Sequence, residues 1–225
     1  MLIEFKNVSV ERDGLSVLRR VHLSLTQRRI GVLGPNGSGK STFIRLLNGL
    51  LLPQEGQVLV QGLDTRKEVS RIRSKIGFVF QNPDNQIVFP VVSEDIDFGL
   101  KRREANPEVR ADLARQALEQ VGVPHLAERL VHTLSGGERQ LVALAAVLAM
   151  QPEILVFDEP TTQLDLRLRN RFEKLLQGLP QPAIVVSHDL ELLRGMERVL
   201  VLRDGLVVLD AQPNEAIAWY LEHCA

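Results

Sequence analysis

The stretch GPNGSGKST (34–42) brings together residue types that grip a phosphate chain: Gly34, Pro35, Asn36, Gly37, Ser38, Gly39, Lys40, Ser41 and Thr42. The spacing G-x-x-x-x-G-K-S runs in full from Gly34 to Ser41. Glycines let backbone N–H groups converge on phosphate oxygens in conformations that a Cβ opposes. A helix that starts at the loop adds its positive dipole end. Lys40 suits neutralising the β- and γ-phosphates of a nucleotide, and the Ser41 hydroxyl suits Mg²⁺. Further on, EILVFDEP (153–160) ends an apolar run in two acids. Asp158 can hold Mg²⁺ through water, and Glu159 can orient or deprotonate an attacking water. Alone, a strand ending in two acids is usually a solvated turn. Behind a phosphate loop it completes a nucleotide hydrolase site.

Each of these residues needs an element to aim it. RRIGVLG (28–34) is a short apolar run stopped by glycine, the pattern of a buried strand, and Thr42–Leu51 has helical spacing. LIEFKNVSV (2–10) alternates apolar and polar residues, and Val17–Leu25 alternates beside it. QVLVQG (57–62) and KIGFVF (75–80) are further strand candidates. From about Ser93 to Met150 the pattern turns helical. One helix begins near Pro107 and repeats Val109, Leu113, Ala117, Leu118 and Val121 at three- and four-residue steps, ending at Gly122 and Pro124. EILVFD (153–158) and PAIVVSH (182–188) return to buried strands with a helix between them. Asp204-Gly205 is a hairpin turn between Leu200–Leu202 and Leu206–Leu209. The order predicts an α/β core over 1–81 and 151–225, with an inserted helical subdomain over 82–150.

Composition narrows the classes. The 225 residues carry 27 basic and 28 acidic side chains, a balance that gives no electrostatic reason to expect a nucleic acid. Cys224 is the only cysteine, which excludes an internal disulfide framework and a Cys-rich metal site and fits a reducing compartment. His22, His125, His132 and His223 show no metal-ligand spacing. The longest apolar run, LVALAAVLAM (141–150), is about half of the ~20 residues that span a bilayer. The first residues, MLIEFKNVSVERDG, lack the apolar core of a signal peptide. Any service to a membrane is therefore expected to be peripheral.

LSGGE (134–138) lies between the phosphate loop and the acidic strand. Ser135 with Glu138 forms a capping box, and Gly136 and Gly137 leave the helix start bare for an anion. In isolation this reads as a helix cap. With Gln81 ending a strand, Leu164-Asp165 after the acids and His188 ending VVSH, the order resembles the ABC (ATP-binding cassette) ATPases from Gly34 to His188. That resemblance implies a P-loop core with an antiparallel β subdomain and an inserted helical subdomain. It also implies ATP and Mg²⁺ as cofactors and a head-to-tail homodimer burying two ATP molecules. Each nucleotide would lie between Lys40's loop and the partner's Ser135–Glu138 segment. Gln81 would contact Mg²⁺ and the lytic water, His188 would hold the γ-phosphate and Glu159 would be the base. Two positions depart from the family's wording. Arg12 stands where an aromatic usually covers adenine; a guanidinium can stack there, or it is a solvated charge at a strand end. Gln163 stands where a small residue is usual.

QNPDNQIVFPVVSEDIDFGL (81–100) is similar to the ATPases of energy-coupling factor (ECF) importers. That kinship implies a groove after Gln81 for coupling helices of a transmembrane T component, alongside a substrate-binding S component. Asn82 to Gln86 would line it, with Glu94 and Asp95 as acceptors for basic residues. The wording is nearest to biotin importers, ahead of cobalt or nickel systems, and implies residence on the cytoplasmic face of the cell membrane. A cell-division ABC ATPase, which moves no solute, is the rival class.

Overall fold

A computed structural model describes residues 1–224. The chain divides into two compact units: Met1–Ile76 with Glu153–Glu159 and the stretch from Pro180, and Gly77–Pro152 with Pro160–Leu179.

The first unit contains an antiparallel sheet. β1 (Ile3–Arg12) pairs with β2 (Leu15–Leu25) on one side and β4 (Glu55–Val60) on the other, and β5 (Leu63–Asp64) follows β4. Ile3, Phe5, Val8 and Val10 turn inward along β1, as a two-residue period dictates until the register shifts after Phe5. Its other sheet has the strand order β10-β9-β3-β8-β7 within this unit. β3 (Arg29–Leu33), β7 (Ile154–Asp158) and β8 (Ala183–Val186) are buried at every position, the mark of parallel strands covered on both faces. β9 (Arg198–Arg203) runs parallel to β3 and turns back antiparallel as β10 (Leu206–Ala211). The turn is the expected one, with Asp204 at φ 50° and Gly205 at φ 77°.

Parallel registry is what assembles the chemistry. Val32 lies beside Val186, and Val186 beside Asp158, so the ends of β3, β8 and β7 finish together at one edge of the sheet. Ligands of open parallel sheets bind beyond those carboxyl ends. α1 (Lys40–Arg45) leaves the loop after β3. It is shorter than the Thr42–Leu51 pattern suggested: beyond Arg45 the backbone tightens into turns, with Leu47 N donating to Ile44 O and Leu50 N to Arg45 O. Phe43 of α1 stacks on Phe5 of β1 with ring centroids 4.5 Å apart, fixing the helix against the antiparallel sheet. α2 (Val69–Lys75), α7 (Leu190–Arg194) and α8 (Pro213–His223) complete this unit.

The second unit begins within β6 (Ile76–Val79) and is otherwise helical: α3 (Val92–Leu100), α4 (Pro107–Gln120), α5 (Gly136–Ala149) and α6 (Leu166–Gly178). Asn106 caps α4 by accepting from Glu108 N, with Pro107 at the first helical position. The buried face of α4 differs from the apolar periodicity at its start. Val109 is exposed, and Arg110 is buried in its place because its Nε donates to Asp97 Oδ1 at 2.6 Å. α6, placed by its position in sequence in the α/β core, belongs to this unit.

Candidate functional site

The loop between β3 and α1 is held in a conformation that only glycine allows at two points. Gly39 caps α1 at φ 101°, and a Cβ there would stand 2.7 Å from Val17 O; at Gly34 it would collide with Leu202 O. Only glycine passes at both points. Lys40 is buried, and its Nζ donates to Gly34 O at 2.8 Å and Pro35 O at 3.0 Å. Burial lowers its pKa, while the charges of Glu159 and Asp158 pull it back up. Ser38 Oγ is buried and has no hydrogen-bond partner among the described residues. A buried donor without an acceptor at the mouth of such a loop fits a phosphate oxygen. Asn36 and Gly37 lie toward solvent on the same loop.

The acidic strand meets this loop. Ser41 Oγ donates to Asp158 Oδ1 at 3.0 Å, and Arg45 lies 3.7 Å from Asp158 Oδ2. Arg45 was not among the residues singled out from sequence. Its signal was its place four residues after Ser41, on the same helical face. Asp158 is buried, and desolvation raises its pKa despite the Ser41 hydrogen bond and the cations nearby. A carboxylate held against its own solvation, paired with a hydroxyl, fits Mg²⁺: such sites take one or two protein oxygens and complete the shell with phosphates and water. No group of three or more His, Cys, Asp or Glu side chains that could hold a metal occurs among the described residues.

Glu159 follows with φ 51°, a left-handed backbone that costs a residue bearing a side chain roughly 1 kcal/mol. The conformation is held: Glu159 N donates to Val186 O at 3.0 Å, and Oε2 accepts from His188 N at 3.2 Å. His188 Nε2 stands 3.2 Å from Glu159 Oε1 and 3.1 Å from Asn36 Oδ1. One imidazole thus bridges the carboxylate and the phosphate loop. Lys40, Ser41, Asp158, Glu159 and His188, named from sequence at three separate places, converge in one unit. Arg12 ends β1 exposed, with Asp13 3.9 Å away.

Gln81 and LSGGE belong to the second unit. Gln81 is exposed directly after the Phe80 backbone. The capping box is present in full: Ser135 Oγ accepts from Glu138 N at 3.2 Å and donates to Glu138 Oε2 at 2.8 Å, and Ser135 N donates to the same oxygen. These bonds hold the Glu138 carboxyl below the usual range. At Gly137 a Cβ would collide with Leu168 of α6, and Gln163 lies against Gly136. The bare start of α5 therefore follows from packing as well as from any ligand.

The segment after Gln81 corrects one expectation and divides another. Asp84 and Asn85 are exposed, and Asp84 lines a cleft with Ile87, Phe89, Val131, His132 and Arg139. Pro83–Asn85 form a 3-10 turn capped by Asn82, and Gln86 Nε2 is spent on Ala143 O. Asp95 does not face a partner: it is buried and accepts from Val88 N at 2.7 Å and Phe89 N at 2.9 Å. Asn82, Gln86 and Asp95 share one duty, because a bend in the chain leaves backbone N–H groups of Asp84, Phe80, Val88 and Phe89 which these side chains satisfy. A second groove of this unit, of about 870 Å³, is lined by Phe89, Glu94, Asp97, Leu118, Glu119 and Glu128 among others.

Among the described residues no helix is long and apolar enough to cross a membrane. The ABC transporter family model matches residues 18–162. A putative ABC transporter ATP-binding protein of Deinococcus radiodurans is 56% identical over 98% of both chains. The biotin transport ATP-binding protein BioM of Rhizobium etli is 48% identical over 100% of both, and the energy-coupling factor transporter ATP-binding protein EcfA of Methanothermobacter thermautotrophicus is 40% identical over 95% of this chain and 72% of its own. Among solved structures, cbiO1 from Clostridium perfringens, part of the ABC transporter complex cbiONQ, superposes with a TM-score of 0.86 at 31% identity over 96% of this chain and 90% of its own. The chain belongs to the ABC transporter family, as an ATP-binding cassette that hydrolyses ATP.

Proposed function

We propose that the chain is the ATPase of an energy-coupling factor importer, working as a head-to-tail homodimer on the cytoplasmic face of the cell membrane. The cargo is a vitamin, biotin before cobalt or nickel. The observation that carries this reading is the segment 81–100, whose ECF wording folds into a turn, a buried Asp95 and a groove. Its likeness along the whole chain to a protein named for biotin transport supports the cargo.

The chemistry follows from the residues described. Backbone N–H groups of 34–42 cradle the phosphates, and Lys40 exchanges its two carbonyl acceptors for phosphate oxygens. Ser41 and Asp158 would hold Mg²⁺, which when bound would supply charge neutralisation to the nucleotide's phosphates. Glu159 accepts a proton from the attacking water. His188, whose ring is hydrogen-bonded to Asn36 and whose backbone N–H donates to Glu159, orients that carboxylate and reaches the γ-phosphate. Ser135–Glu138 would close the nucleotide site of the second protomer, and Gln81 would contact Mg²⁺ and the water.

In the groove, Asp97 is engaged by Arg110 and Lys101, and Glu119 by Arg115. Glu94 and Glu128 make no hydrogen bond or ion pair among the described residues, which leaves two carboxylates for basic residues of a T component's coupling helix. The reading is tested by pull-down from detergent-solubilised native membranes, with mass spectrometry of the bound proteins and small molecules. A short T-type membrane protein, a multi-helix binding protein and biotin are expected. A metal in place of biotin changes only the cargo, whereas recovery of cell-division membrane proteins overturns the importer.

A further inference from the structure

Phe80, the residue before Gln81, has both of its backbone polar groups held by side-chain amides. Its N–H donates to Gln86 Oε1 at 3.3 Å, and its carbonyl accepts from Gln140 Nε2 at 3.4 Å. The other end of Gln86 donates to Ala143 O at 2.8 Å, within α5. Gln140 lies on that same helix, two residues after Glu138. A third tie runs alongside: Arg139 donates to Leu134 O at 2.8 Å, and its Nε stands 3.1 Å from Asp84 Oδ1, an ion pair off the axis of a straight hydrogen bond.

The burial of Gln140 makes this more than local tidiness. It is 1% exposed, and its Oε1 has no hydrogen-bond partner among the described residues. Burying an amide with half of its polar capacity unused costs stability, and a leucine would fill the volume without that cost. What the amide supplies and a leucine does not is a donor to Phe80 O.

We propose that Gln86 and Gln140 are positioning residues which clamp the Phe80 backbone to the signature helix α5 and thereby set the direction of Gln81. Gln81 cannot then swing independently of the helix that carries Ser135–Glu138. Any displacement of the turn at Pro83–Asn85 reaches both together. The inference rests on the proposed contact of Gln81 with Mg²⁺ and the lytic water, and it deepens that reading.

The test is steady-state ATP hydrolysis by the full-length chain. Gln86→Met keeps the side chain's length and deletes both of its hydrogen bonds; Gln86→Glu keeps the oxygen that accepts from Phe80 N. Gln86→Met should lower kcat about tenfold with KM for ATP within about twofold, because a misaimed water contact slows the step without loosening the phosphate loop. Gln86→Glu should recover part of that loss, and Gln86→Met added to Gln81→Ala should cost nothing further. If Gln86→Met does not fold, Gln140→Met deletes only the bond to Phe80 O and carries the same expectation. Full kcat in the clamp variants beside a slow Gln81→Ala overturns the clamp alone. So do losses that multiply with Gln81→Ala, or equal losses in the Met and Glu variants that track a fall in Tm. Full kcat in Gln81→Ala overturns the reading beneath it.

Discussion

Glu159 holds a left-handed backbone, and its carboxylate oxygens meet the backbone N–H and ring of His188. The carboxylate reaches the phosphate loop through the His188 ring and by its charge on Lys40, and the Lys40 hydrogen bonds themselves go to Gly34 O and Pro35 O. Removing the charge while keeping the shape should therefore act chiefly on turnover. Glu159→Gln is expected to bind ATP within a few-fold of the parent and to lose roughly 100-fold or more in kcat. Equilibrium nucleotide binding beside single-turnover hydrolysis checks both halves. Near-parental hydrolysis would remove Glu159 from the role of base.

At the scale of the element, the start of α5 depends on an ionised Glu138. Its carboxyl is held below the ordinary value of about 4.3 by the Ser135 N–H and hydroxyl. A carboxyl depressed on folding contributes stability that is present above its unfolded pKa and is lost as pH falls through the folded one. The stability difference between the parent and Glu138→Gln should accordingly be constant from pH 7 to about 5 and shrink as acid protonates Glu138. Urea unfolding of both proteins across that range measures it. A difference that does not change with pH would mean that the cap works through shape and not charge. The same helix shows why a motif has two explanations at once. Gly137 is required by Leu168, whatever approaches the helix start from outside.

For the whole molecule, the groove is where the cassette would exchange force with a membrane partner. Glu94 lines it without an internal partner, so reversing its sign should leave the fold and the nucleotide site intact. Glu94→Lys is expected to keep the hydrolysis of the isolated chain within about twofold, since surface changes of this kind are close to neutral for stability. In the assembled transporter it should weaken T-component binding by about tenfold through like-charge repulsion. Unchanged assembly, measured by co-purification and transport in vesicles, would place the docking surface elsewhere.

How much was legible divides along a physical line. The sequence alone determined what is written locally: the phosphate loop, whose glycines and lysine fall within seven residues; the capping box, a relation between residues three apart; the short apolar runs of the buried strands; the Asp204-Gly205 turn. It named Lys40, Ser41, Asp158, Glu159 and His188 because each ends or follows such a local pattern. Tertiary structure decided which of them meet, through parallel registry that sets Val32, Val186 and Asp158 in line. It also reassigned residues whose partners are distant. Asp95 was turned inward by the unpaired N–H groups of Val88 and Phe89, Gln86 was drawn to Ala143, and Arg110 replaced Val109 on the buried face of α4 because Asp97 lay opposite. Residue type and spacing specify which groups can react or pair. Only the folded chain specifies which buried donor needs which acceptor, since that demand arises from backbone groups cut off from water.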